Sequence, residues 1–125
     1  MKLLDTSVAI DHLRGFAPAV DLLARLVDGD EAIVASEVVR FELLAGVRPE
    51  EVEVLERFCS AVTWVPVDEG IARTAGALAR QHRRAHGGID DADYLIAATA
   101  VVLEAELLTM NVRHFPMLAG LQPAY

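Results

Sequence analysis

Three carboxylates in this sequence sit where local patterning gives them little reason to be. Glu42 lies within Phe41-Glu42-Leu43-Leu44-Ala45-Gly46, and at 100° per residue its helical neighbours are Val38, Val39, Ala45 and Gly46. It points with the apolar side of its helix, where an ionised carboxylate is costly without a partner and the small Ala45 and Gly46 leave room for one. The competing account is a partly exposed helix with Glu42 solvated at its edge. Asp93 leads into Tyr94-Leu95-Ile96-Ala97-Ala98-Thr99-Ala100, a helix apolar on nearly all sides and therefore expected at the centre of the fold. Its first turn also carries Asp90 and Asp91; a cap and the helix dipole favour acids there by about 0.3–1 kcal/mol each, but neither needs three that repel one another. Asp5 follows Lys2-Leu3-Leu4 directly, with helix capping as its ordinary explanation. Clustered carboxylates bind divalent cations, and such a cation reverses the local field where a phosphate must sit.

The elements that must position these acids follow from apolar runs and breakers. Lys2 to Leu4 reads as a strand running into Asp5-Thr6-Ser7, with a helix over about Val8 to Arg14. Gly15 breaks the chain, and Pro18 opens a helix that lasts to the turn at Asp28-Gly29-Asp30. Ala32 to Ala35 is a second strand. Ser36 caps a helix from Glu37 to Ala45, and Pro49 starts another with Val52, Leu55, Phe58 and Cys59 inward. Thr63 to Val67 is a third strand, and helix signals resume from Glu69 through about His86. Gly87-Gly88 interrupts, Asp90 caps a helix ending near Glu104, and Glu106 to Thr109 is the fourth strand. A turn at Phe115-Pro116 leads into a tail with room for one more strand. Strands alternating with helices imply an α/β fold with a parallel sheet between helical layers. In such sheets ligands bind beyond the carboxyl ends of the strands, where Asp5 and Asn111 fall.

The 125 residues leave room for a single domain, 1–125. With 54% hydrophobic and 24% charged residues there is ample material for one core. No apolar run approaches the length of a membrane span, and the N-terminus has no signal-peptide core, so the cytoplasm is the expected location. One cysteine, Cys59, excludes an internal disulfide and a thiolate zinc site within one chain. The net charge of −8 argues against binding nucleic acid through a broad basic face. Ten of the eleven bases are Arg, which favours planar, bidentate contacts to phosphate or carboxylate and excludes chemistry requiring an interior lysine.

Taken together, Leu3-Leu4-Asp5-Thr6-Ser7, Ser36 with Phe41-Glu42-Leu43-Leu44-Ala45-Gly46, Asp93 to Ala100, and Leu108-Thr109-Met110-Asn111 resemble the four motifs of a PIN domain. The resemblance covers the whole chain in order and spacing, and it is to the toxin branch of that fold, the VapC endoribonucleases. It implies a small three-layer α/β/α domain with a mostly parallel sheet, in which Asp5, Glu42 and Asp93 match the metal-binding acids. The fourth position, often an aspartate in the family, is Asn111 here, leaving a neutral oxygen ligand or water-orienting group and putting a tightly held second ion in doubt. Oxygen ligands without His or Cys neighbours select Mg²⁺, or Mn²⁺, over zinc or copper. The resemblance further implies cleavage of a structured RNA, a cognate VapB-type antitoxin that presents a cation to the acids, a homodimer, and a toxin–antitoxin hetero-oligomer.

Around this set, Thr6 and Ser7 are placed to hydrogen-bond carboxylates or to cap. Arg80, Arg83 and Arg84, with His82 and His86, form the one basic cluster, either an RNA guide or a solvated helix end complementing the dipole. Arg113 and His114 lie close to Asn111, within reach of a substrate phosphate. Two rival readings remain: a metal-independent ribonuclease using His82 and His86, and a catalytically silent PIN-like binding module. A phospho-accepting receiver domain lacks its acidic pair and lysine here, and a haloacid-dehalogenase-like phosphatase would need an Asp where Ser7 stands.

Overall fold

The computed structural model describes residues 1–125. Four short strands, β1 (Lys2–Leu4), β2 (Val34–Ser36), β3 (Thr63–Val65) and β4 (Glu106–Leu108), form one sheet in the order β3-β2-β1-β4. All three pairings are parallel: Leu3 lies opposite Val34 and Leu107, and Leu4 opposite Ala35 and Leu108. Parallel strands need crossovers that cover the sheet, so their residues read as apolar runs without alternation. Leu3, Leu4, Val34, Ala35, Leu107 and Leu108 are accordingly all buried.

The crossovers are helical pairs: α1 (Thr6–Leu13) with α2 (Ala17–Asp28), α3 (Glu37–Gly46) with α4 (Val52–Ala61), and α5 (Glu69–His82) with α6 (Asp91–Leu103). Val8, Ala9, Leu23, Leu26, Val39, Leu43, Leu55 and Phe58 pack onto the strands in one cluster. Ile71 and Ala75 of α5 meet Tyr94 and Ala98 of α6 in a smaller one. Helix α6 is the central helix its composition predicts, burying Tyr94, Ile96, Ala97, Ala98, Thr99 and Ala100. The strand order reverses between β1 and β4, because the first two crossovers run to one side of β1 and the third returns to the other. In open parallel sheets the region beyond the carboxyl ends of the strands at such a switch point, here β1 and β4, is where ligands bind. No helix is long and apolar enough to cross a membrane.

Several boundaries differ from the sequence expectation. The first helix begins at Thr6 rather than Val8, with Asp5 as its N-cap residue. The second strand is Val34–Ser36 rather than Ala32–Ala35, because its register is set by pairing with Leu3 and Leu4. Ser36 ends that strand and still caps α3, its Oγ accepting the Val38 N–H at 3.1 Å. Pro49 begins a 3₁₀ turn, Pro49–Glu51, before α4. Helix α5 stops at His82, although the His86 N–H still donates to the His82 carbonyl at 3.0 Å. Gly88, at φ +83°, then supplies a left-handed turn before α6. The tail adds no strand; its one bond beside β4 is from the Ala124 N–H to the Thr109 carbonyl, 2.9 Å.

Candidate active site

Asp5 stands at the switch point. Its N–H donates to the Leu108 carbonyl at 2.9 Å, continuing the β1–β4 ladder one residue past the strand. By position it is the N-cap of α1, yet its side chain makes no capping bond. It is 4% exposed, and its Oδ2 accepts two hydroxyl donors, Thr109 Oγ1 at 2.6 Å and Ser7 Oγ at 2.9 Å. No Lys, Arg or His pairs with it, which leaves a buried carboxylate satisfied only by neutral donors. Capping is therefore not what Asp5 does in this fold.

The two hydroxyls are themselves fixed. Ser7 Oγ accepts the Met110 N–H at 3.1 Å, and Thr109 Oγ1 accepts the Asn111 N–H at 2.9 Å. Thr109, fully buried, thus ties the loop after β4 to the carboxylate after β1. Sequence reasoning passed over it as the end of a strand; its hydroxyl in an otherwise apolar Leu107-Leu108 run was the available signal. Asn111 is exposed, joins the network only through its backbone, and begins a 3₁₀ turn, Val112–His114.

Glu42 is half-buried, and its Oε1 accepts the Thr6 hydroxyl at 2.6 Å. Its helix buries Val39 and Leu43, whereas Ala45 and Gly46 are exposed, so Glu42 marks the boundary of the buried face. It borders a groove with Ile10, Leu13, Leu43 and Val47 among its walls.

Asp93 has two roles. It closes a capping box with Asp90: the Asp93 N–H donates to Asp90 Oδ1 at 3.2 Å, and Asp93 Oδ2 accepts the Asp90 N–H at 3.3 Å. Its side chain is nonetheless only 13% exposed, and His114 Nδ1 lies 3.3 Å from Oδ2. Burial, reinforced by the negative Asp90 and Asp5, pushes its carboxyl up to about 6, while the Asp90 N–H and His114 pull the other way. The Asp5 charge thus reaches Asp93, as the smallest of these contributions. Asp91 turns outward to Arg83 at 2.8 Å. His114, which the sequence places close to Asn111, lies beside Asp93 with its side chain half exposed.

The donor set fits a hard divalent ion: carboxylate oxygens, a buried acid without a cation, and a second acid whose charge is disfavoured by burial first and then by Asp90 and Asp5. Asp5 and Asp93 are these two acids. Glu42 has one oxygen bonded by Thr6, and no three acidic, His or Cys side chains stand close enough to grip one ion together.

The sequence matches the PIN domain over residues 2–120. Ribonuclease VapC19 of Mycobacterium tuberculosis is 62% identical over 125 residues, all of both chains. The chain belongs to the PIN domain family, in its VapC branch. Ribonuclease VapC10 of the same organism is 44% identical over 126 residues, covering 100% of this chain and 93% of the relative. Among solved structures, VapBC-1 from nontypeable Haemophilus influenzae gives a TM-score of 0.78 at 26% identity, over 97% of this chain and 94% of that one. VapBC2 from Rickettsia felis, bound to a DNA fragment from their promoter, gives 0.83 at 21% identity, over 96% and 94%, a likeness of fold. The three-layer PIN architecture expected from the motifs is the one this chain adopts.

Of the remaining expected site residues, Arg80, Arg83, Arg84 and Arg113 are all exposed. Arg83 is engaged by Asp91 and packs over the Tyr94 ring, 5.7 Å from its centroid.

Proposed function

We propose that this PIN domain is a Mg²⁺-dependent endoribonuclease, with Mn²⁺ as an alternative ion, and the toxin of a VapBC-type toxin–antitoxin pair. The observation that carries the reading is Asp5, a buried carboxylate at the switch point, held by two hydroxyls, paired with no cation of the protein's own, and close enough to Asp93 for its charge to be felt there. The relatives named as ribonucleases support the reaction class. Asp5 and Asp93 would hold the ion. When bound, it would supply a site for a phosphate oxygen and make a nearby water easier to deprotonate. Glu42 has Oε1 tied to Thr6, which leaves Oε2 to orient the attacking water and take its proton as its oxygen displaces the leaving oxygen at phosphorus. Asn111 sits at the rim, and Arg113, with Arg80, Arg83 and Arg84, offers the strand bidentate contacts to phosphate. The substrate class proposed is a structured RNA such as a tRNA or rRNA loop.

Cleavage of hairpin RNA in Mg²⁺ and in EDTA tests this. The expected result is cleavage that stops with EDTA and returns with Mg²⁺ or Mn²⁺. Undiminished cleavage in EDTA overturns the metal reading in favour of a histidine ribonuclease, and absence of cleavage with every RNA tried favours the silent module.

The regulatory half of the proposal is a VapB-type antitoxin, a cytoplasmic complex and a toxin homodimer. The structure neighbours are VapBC complexes, and a negative site suits an arginine that competes with the ion. Purification from the native operon is expected to yield an inactive complex that excess Mg²⁺ partly relieves. Recovery of a lone, active chain would sink the toxin assignment while leaving the nuclease.

A further inference from the structure

His82 and His86 lie outside the acidic site, and nothing in the proposed reaction uses them. They are one helical turn apart, and the turn is real: the His86 N–H donates to the His82 carbonyl at 3.0 Å, although regular helix ends at His82. Their rings face each other with centroids 5.8 Å apart and planes inclined at 37°. Neither imidazole has a hydrogen-bond or ion-pair partner; of the chain's other two histidines, His114 is paired with Asp93, and His12 is packed against the Phe58 ring with its Nδ1 buried and out of reach of solvent ions. Two imidazoles four residues apart, joined by one helical turn's hydrogen bond, have the i, i+4 spacing of the bidentate unit that zinc-type sites use.

The surrounding charge is less hostile to a cation than the neighbouring arginines suggest. Arg83 is drawn to Asp91 at 2.8 Å, and the Arg80 guanidinium reaches back along the helix towards Gly76. Arg84 alone has no such engagement. The pair also sits at the carboxyl end of α5, where unpaired carbonyls favour positive charge, in a chain of net charge −8.

We propose that His82 and His86 form a two-imidazole binding site for a borderline transition ion, of the Ni²⁺, Zn²⁺ or Cu²⁺ class, with water in the remaining positions. Nitrogen ligands separate this site from the acidic one, whose oxygens select hard ions. An ion here staples the unwinding turn at residues 83–86 onto α5, immediately before the glycines that lead to Asp90.

The test is Ni²⁺ titration of the full-length Asp5→Asn/Asp93→Asn protein, which lacks both ion-holding carboxylates, with the ring signals of all four histidines followed by NMR. His82 and His86 are expected to broaden together, before His12 and His114. Zn²⁺ should displace the Ni²⁺, and a hundredfold excess of Mg²⁺ should not. His86→Gln should raise the Ni²⁺ concentration needed to broaden His82 by roughly tenfold or more, because the second ligand acts at high effective concentration. Separate midpoints for the two histidines, an unchanged His82 midpoint in His86→Gln, or displacement by Mg²⁺ would each overturn the site. None of these outcomes bears on RNA cleavage, so the proposal stands or falls apart from the nuclease reading.

Discussion

Asp5 and the Asp90–Asp93 turn both place acids at a helix N-terminus, yet the fold uses them differently. At α6, Asp90 and Asp93 bond each other's backbone N–H groups, and Asp91 pairs with Arg83. At α1, the N-cap carboxylate leaves the backbone N–H groups of its helix unbonded and accepts hydroxyls from Ser7 in the first turn and from Thr109 on another element. The difference lies in what precedes each helix. Asp5 follows a central strand directly and is buried against β4, whereas Asp90 follows an exposed glycine turn. An acid at a helix start is a capping residue by default; one pinned from a neighbouring strand end and left without a cation is what the proposed ion site rests on.

The largest effect that could break this contrast is at Asp5. Asp5→Asn removes the charge proposed to hold the ion while keeping a side chain of the same shape. Several kcal/mol of charge stabilisation in the reaction corresponds to roughly 10³-fold or more in rate, so cleavage should fall to background while circular dichroism stays native. A mutant that cuts at the native rate would show that the buried carboxylate is structural after all.

Thr109 comes next. Thr109→Val keeps the shape but leaves Asp5 with one donor and the Asn111 N–H with none. Residues that hold a ligand in place typically contribute 10–100-fold to metal affinity, and that is the expected loss in Mg²⁺ affinity by calorimetry, together with a lower Tm from the unpaired buried groups. Thr109→Ser should recover most of both. If the valine variant binds Mg²⁺ as well as the parent, the network does not orient Asp5.

How far the sequence reveals this site depends on which contacts are local. The strand–acid–helix run at Asp5, the apolar helix behind Asp93 and the parallel sheet all follow from patterns within a dozen residues. Thr109 to Asp5, Thr6 to Glu42 and His114 to Asp93 join residues far apart in the chain, and only the return of β4 to the free side of β1 brings the first of these together. Glu42 shows the opposite limit: its helical neighbours are apolar by type, but tertiary packing leaves Ala45 and Gly46 in solvent. Periodicity names a face and not what covers it.

Asp93 allows a pH test of intermediate size. In the unfolded chain it ionises near the ordinary value of 3.8, whereas the folded protein holds the proton up to about 6. Between these values the folded state binds more protons, so stability falls as pH rises through that window. Below pH 4 the difference vanishes, and above about 6 the penalty is complete, on the order of 1–3 kcal/mol. In metal-free protein, Asp93→Asn should therefore raise stability at pH 7 and change it little at pH 4, since Asn keeps an oxygen for the Asp90 N–H. Saturating Mg²⁺ should reverse the order at pH 7, because only the parent gains from the ion. Equal stabilisation by the mutation at both pH values would refute the charge origin of the effect.

The smallest effect belongs to Asp91, which shares the turn with Asp93 but not its burial. Its side chain is 88% exposed and that of Arg83 62%, so their ion pair is solvated on both sides and screened by salt. Asp91→Asn should shift Tm by no more than about 2 °C, with that shift shrinking further as salt is raised. Cleavage should remain within about twofold of the parent, since freeing Arg83 neither adds nor removes an ion-holding carboxylate. A loss of activity approaching that of Asp5→Asn would make Asp91 a member of the ion-holding set, and the contrast between the two helix starts would have to be redrawn with the whole acidic turn on the catalytic side.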